Sequence, residues 1–188
     1  GVKTKAWIVS SQHRQDQVDK FFRQSELGDR LTQRVLDRLD EYFLALGTER
    51  FEGASSEAQL TANNDGAYYR PHADADHDGD TTGRRLTWVY YLHRRPRGFS
   101  GGHLRLWDSR ALPGGRQMGE GFRDLAVVDN SLVVFESTTF HEVRPVECRS
   151  GAFADGRFSV TGWIHGPPSE LAATPSELTG AFVKAKGV

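Results

Sequence analysis

Arg85-Leu86-Thr87-Trp88-Val89-Tyr90-Tyr91-Leu92 is the stretch on which the fold turns. It is dominated by β-branched, aromatic and leucine side chains, and no glycine or proline interrupts it, so it reads as a strand. Similar short runs recur on both sides, at 58–62, 68–74, 102–107, 125–128, 131–135, 141–146 and 157–164, separated by clusters of Gly, Asp and Pro. Before residue 57 the period changes. Leu31, Val35, Leu39, Phe43 and Leu46 recur at steps of three or four, which predicts an amphipathic helix from Asp29 that Gly47 caps. Val18, Phe21 and Phe22 predict an earlier helix behind the polar pair Ser10-Ser11, after a short strand over 5–9. Helices followed by strands, with no parallel βαβ rhythm, predict an α+β, mainly β chain: a β-sandwich or jelly roll with N-terminal helices packed on one face. The expected organisation is a single domain over 1–166, with helices at about 11–46 and a β-core at about 57–165, then a C-terminal tail over 167–188 with a weak helix at 176–184.

The chain has 188 residues, 37% of them hydrophobic, and a formal charge of -1, a composition that fits one globular domain and gives no electrostatic reason to expect nucleic acid as a partner. No apolar run approaches the ~20 residues that span a bilayer, and the N-terminal residues lack a secretory pattern, so a cytoplasmic location is expected, with no membrane partner. Cys148 is the single cysteine, which excludes an internal disulfide and a cysteine-based zinc site. Any metal must therefore be held by histidine and carboxylate.

Two histidines stand where such chemistry needs them. In Tyr69-Arg70-Pro71-His72-Ala73-Asp74, the His and the Asp are two apart on an expected strand, so both side chains leave one face. His141, in Phe140-His141-Glu142-Val143, follows the apolar run Leu132-Val133-Val134-Phe135 and offers a third ligand. Two histidines and one carboxylate form the facial triad of non-haem Fe(II), which leaves coordination positions open for a cosubstrate and O2. A dicarboxylate cosubstrate calls for a fixed, bidentate cation, and Arg157 opens the alternating strand Arg157-Phe158-Ser159-Val160-Thr161-Gly162-Trp163 downstream of His141.

Taken in order, Tyr69-x-x-His72-x-Asp74, the 84–92 strand, Gly101-Gly102-His103-Leu104-Arg105-Leu106, His141-Glu142-Val143 and the 157–163 strand resemble the prolyl 4-hydroxylase-type 2-oxoglutarate/Fe(II) oxygenases, nearest the hypoxia-type prolyl hydroxylases and their bacterial relatives. The similarity covers roughly 57–165, and residues 3–7 also resemble the segment before that family's first helix. The resemblance implies a double-stranded β-helix (jelly roll/cupin-like) core, in which His72, Asp74 and His141 bind Fe(II), Arg157 pairs with the distal carboxylate of 2-oxoglutarate, and Tyr91 and Thr161 hydrogen-bond the same end. It also implies O2 as a cosubstrate, admits ascorbate as a reductant, and makes the reaction hydroxylation of an unactivated C–H bond coupled to decarboxylation of 2-oxoglutarate to succinate. The expected substrate is a prolyl or other amino-acid residue in a peptide or protein; the alternative is a free amino acid or natural-product intermediate. Asp74 argues against the halogenase relatives, which lack this carboxylate.

Two departures from the family pattern stand out. Asn63 occupies the position, nine residues before His72, where the family often has a cosubstrate-contacting tyrosine; it can still hydrogen-bond there. The segment 147–156 lengthens the link between His141 and Arg157, with Gly151 and Gly156 suggesting a longer turn and Arg149 as a distant rival to Arg157. Residues 74–80 resemble a calcium loop, but Arg85 stands where a bidentate Glu is required. A zinc hydrolase reading of His72, Asp74, Asp76 and His77 needs helices after the motif, where strands are expected. A non-catalytic β-helix would more naturally have lost a ligand. The basic run His93-Arg94-Arg95-Pro96-Arg97 reads chiefly as a solvated rim loop.

Overall fold

The computed structural model describes residues 26–52, 55–75, 81, 83–112, 115–167 and 183–186. The expected strand over 5–9, the helix carrying Val18, Phe21 and Phe22, and residues 176–182 of the expected tail helix lie outside them.

Nearly all of the β-structure is antiparallel and falls into two facing sheets. The larger takes β1 (Ser55–Asn63), β10 (Arg157–His165), β3 (Arg84–Leu92), β7 (Ser131–Glu136) and β11 (Val183–Lys186) in that order. The smaller takes β2 (Tyr69–His72), β8 (His141–Val143), β5 (Leu104–Leu112) and β6 (Gly115–Leu125), while β4 (Ser100–Gly101) pairs with β9 (Val146–Glu147) alone. This is the mainly β jelly roll that the strand spacing predicts. Because side chains alternate across a strand, each strand of the larger sheet serves two cores. Leu86, Trp88, Leu132, Val134, Val160 and Ile164 face outward onto Leu31, Val35, Tyr42 and Phe43 of the helices α1 (Glu26–Leu36) and α2 (Leu39–Leu46). Val89, Tyr91, Val133 and Phe135 face inward onto Leu104, Leu106 and Leu125 of the smaller sheet. Trp88 thus packs against the helices, and Gly162 opposite it leaves room for the indole, since a β-carbon there would lie inside that ring.

The structure corrects four details. The single helix expected from Asp29 to Gly47 is two helices, because the chain leaves helical geometry at Arg38 (φ -114, ψ 13), whose N–H bonds to Val35 O in a tighter turn. A three-or-four-residue apolar rhythm survives such a break, since it reports the buried face and not the backbone. Gly47 does cap the second helix, in the left-handed region at φ 68. The strand expected at 102–107 runs to Leu112 and returns as β6; its far half carries Arg, Gln, Gly and Glu and is held by ladder pairing, with no apolar pattern to reveal it. The run 125–128 is a strand only to Leu125, and Val127 is buried in a loop. Finally, Lys184 lies in β11, paired with Val133, where a tail helix was expected. No helix among the described residues is long and apolar enough to cross a membrane.

The arginines of the 93–97 run are tied into the fold. Arg94 pairs with Asp155 at 2.8 Å, Arg95 with Asp129 at 2.8 Å, and Arg97 donates to Val127 O at 3.1 Å.

Candidate active site

Neighbouring strands β2 and β8 of the smaller sheet, with the residues just after β2, bring His72, Asp74 and His141 together, with one donor atom from each within 4.8 Å of the others. His72 and His141 are direct partners in the β2–β8 ladder, and their rings lie 4.2 Å apart. Asp74 arrives differently from the expected two-step alternation, because β2 ends at His72. Its backbone N–H instead donates to Ser137 O at 2.9 Å, and the Ala75 N–H donates to the same oxygen at 3.0 Å, which turns the chain inward.

The donor chemistry is prearranged. His72 Nδ1–H donates to Arg70 O and His141 Nδ1–H to Thr139 O, both at 2.9 Å, so each ring turns its Nε2 lone pair toward Asp74. Nε2 of His72 is 3.5 Å from Asp74 Oδ1, and Nε2 of His141 is 3.4 Å from Asp74 Oδ2. Burial by itself would raise the Asp74 pKa; the imidazoles of His141 and His72, with the nearby Trp163 indole, outweigh it and hold the carboxyl below its usual range. Burial lowers the His141 pKa, only partly offset by Asp74, which keeps that ring neutral and able to bind a metal. Phe135 closes one side, 4.9 Å from the His141 ring, and Tyr69 stands edge-on to His72 at 4.3 Å.

Across from them, at the start of β10 in the larger sheet, lies Arg157, 2% exposed. Its Nε–H donates to Gly102 O at 2.9 Å, and Nη1 donates to Asn63 Oδ1 at 3.0 Å and Ser159 Oγ at 3.2 Å. No carboxylate among the described residues forms an ion pair with it, and the neighbouring Tyr91 hydroxyl is buried without a hydrogen-bond partner. Gly102 has a positive φ of 64, and a β-carbon there would press on the Arg157 side chain. Thr161 faces inward between Ser159 and Trp163, opposite Val89 and Gln59 in the ladders. Arg149 is exposed in the 147–156 segment.

Asn63, Tyr91, Arg157 and Thr161 therefore share one wall. Sequence reasoning missed Thr87 and Ser137, which are completely buried beside Asp74, and the Gly102 carbonyl and Ser159 hydroxyl that grip Arg157. The usable signal was parity: Thr87 shares the inward register of Val89 and Tyr91 in an otherwise apolar run. A buried hydroxyl in such a run must find a partner.

The 2OG-Fe(II) oxygenase superfamily pattern matches residues 58–165. An "uncharacterized PKHD-type hydroxylase" of Synechocystis sp. is 37% identical over 163 residues, covering 87% of this chain and 54% of that protein. The chain thus spans about half the length of the curated relative it matches. Among solved structures, a Pseudomonas putida prolyl-4-hydroxylase is 28% identical with a TM-score of 0.44, over 72% of this chain and 65% of that one. A 2OG-Fe(II) oxygenase family oxidoreductase from Burkholderia pseudomallei shares the fold, at 19% identity and a TM-score of 0.50, over 74% of this chain and 58% of that one. With the superfamily match running from β1 through β10, this chain belongs to the 2-oxoglutarate/Fe(II) oxygenase superfamily.

Proposed function

We propose that the protein hydroxylates an unactivated C–H bond, with His72, Asp74 and His141 holding Fe(II) and Arg157 holding the distal carboxylate of 2-oxoglutarate. The observation that carries the reading is the coexistence, between the two facing sheets, of a three-donor cluster on the smaller one and a buried arginine without a carboxylate partner on the larger. A buried cation is costly unless an anion meets it, and a dicarboxylate reaching from the histidines toward Arg157 supplies one. The fit extends to Tyr91, whose orphaned hydroxyl has a natural acceptor in the same carboxylate, and to Thr161 on the same wall. Asn63 holds the guanidinium in place by accepting from Nη1.

When bound, Fe(II) and 2-oxoglutarate together supply the oxidising chemistry, converting O2 and 2-oxoglutarate to succinate, CO2 and one oxygen atom inserted into the substrate. The chain's own residues do the rest. Asp74 stays ionised and His141 neutral, so the donor set needs no rearrangement to bind a cation. Arg157 orients the cosubstrate, and Phe135, Val133 and Leu106 keep the inner space apolar and dry.

For substrate class, the motif resemblance favours a prolyl or other amino-acid residue in a peptide. The test is incubation with Fe(II), 2-oxoglutarate and O2 against a proline-containing peptide library and an amino-acid panel, reading a one-oxygen mass gain matched by succinate. Modified peptides support the reading; modified free amino acids alone would move the substrate to the small-molecule class. Succinate release without any oxygenated product from either set would contradict both.

A further inference from the structure

We infer that Thr87 and Ser137 form a one-way hydroxyl relay that fixes Asp74 to bind its metal through a single oxygen, Oδ1. The inference rests on the metal reading above and adds two positioning residues to it. Thr87 Oγ1 lies 2.8 Å from Asp74 Oδ2, and Ser137 Oγ lies 3.0 Å from Thr87 Oγ1. Both residues are fully buried, so water cannot replace these bonds. An ionised carboxylate only accepts, and a threonine hydroxyl has one proton, so Thr87 donates to Asp74 and Ser137 must donate to Thr87.

The relay is itself anchored. Ser137 N–H donates to Arg85 O at 3.0 Å, which ties it to β3, and Ser137 O receives the N–H groups of Asp74 and Ala75. Asp74 is therefore gripped at its backbone by Ser137, in the turn after β7, and at Oδ2 by Thr87 on β3. Each carboxylate oxygen faces one ring nitrogen, Oδ1 that of His72 at 3.5 Å and Oδ2 that of His141 at 3.4 Å, but only Oδ1 is without a hydroxyl donor. A carboxylate free to rotate can chelate a cation with both oxygens and would take up one of the positions a facial triad leaves open. The relay withholds Oδ2 from that role, so three positions stay available for cosubstrate and O2.

The probe is Mn(II), titrated into the apo-protein while water-proton relaxation is recorded. This gives both a Kd and the number of exchanging waters on the ion, with no turnover required. For Thr87→Val, which keeps the shape and loses the hydroxyl, we expect the Kd to rise about 10- to 100-fold. The relaxation enhancement of the bound ion should fall by about a third, from three open positions to two. Thr87→Ser should restore both values. Ser137→Ala should shift them in the same direction by less, and it carries the test if Thr87→Val does not fold. Wild-type Kd and relaxation in a folded Thr87→Val protein with a lowered Tm would overturn the inference, leaving Thr87 a packing residue and the metal site intact. Failure of the wild-type protein to bind Mn(II) would instead bring down the metal reading, and the relay's role with it.

Discussion

Replacing Arg157 with lysine keeps the charge and changes the number of donors, and the structure says what that does. A guanidinium has five N–H groups, and three are spent on Gly102 O, Asn63 Oδ1 and Ser159 Oγ. The two on Nη2 remain for a ligand carboxylate. An ammonium has three donors, and the same three acceptors can take them all. Losing one side of a buried, hydrogen-bonded charge pair costs about 2–5 kcal/mol, and because lysine retains the charge the lower end applies. About 2 kcal/mol is about a 30-fold rise in Kd. Calorimetric titration of 2-oxoglutarate into the Mn(II)-loaded protein measures it directly, with Mn(II) affinity as the internal control. Arg157→Lys should weaken 2-oxoglutarate binding about 30-fold and leave Mn(II) affinity within about twofold. A lysine variant that binds 2-oxoglutarate as tightly as wild type would show that the carboxylate is held elsewhere.

Asn63→Ala strands a buried Arg157 N–H, which costs about 1–3 kcal/mol; at about 2–4 °C per kcal/mol the Tm should fall accordingly, with weaker 2-oxoglutarate binding, and an unchanged Tm in thermal denaturation would refute the role. Gly162→Ala drives a methyl group into the Trp88 indole and should cost about 1–3 kcal/mol in urea unfolding; a neutral result would mean that the helix-side core is looser than the structure shows. The backbone N–H of His93 and the Arg95 guanidinium hold the Asp129 pKa below its ordinary value of 3.8. A depressed carboxyl stabilises the fold above its unfolded pKa and loses that contribution as pH falls through the folded one. Asp129→Ala should therefore lower the Tm at pH 7, with the gap to wild type closing only below about pH 4; a gap independent of pH would assign the loss to packing.

What the sequence made legible follows from what leaves a periodic trace. The strand runs of β3, β7 and β10 made the jelly roll legible and the alternation of β10 picked out Arg157, while Tyr91 and Thr161 on the same wall came from the family resemblance. His72, Asp74 and His141 were legible because their spacing in the motif and their ligand chemistry are specific. The break at Arg38 was not, since the apolar steps continue across it. The distal half of the β5–β6 hairpin was not either, because strands exposed on both faces need no apolar alternation. Ser137 escaped notice for a third reason: its importance lies in where its carbonyl and hydroxyl point, which depends on β3 and the turn after β2 meeting in space.

The central claim, that His72, Asp74 and His141 form an Fe(II) site completed by 2-oxoglutarate, is tested most directly by anaerobic titration of the apo-protein with Fe(II) and 2-oxoglutarate under visible absorption. A weak charge-transfer band should appear that needs both components, saturates at one of each per chain, and is absent in His72→Ala. Fe(II) and 2-oxoglutarate producing no band, or one that persists unchanged in His72→Ala, would contradict it.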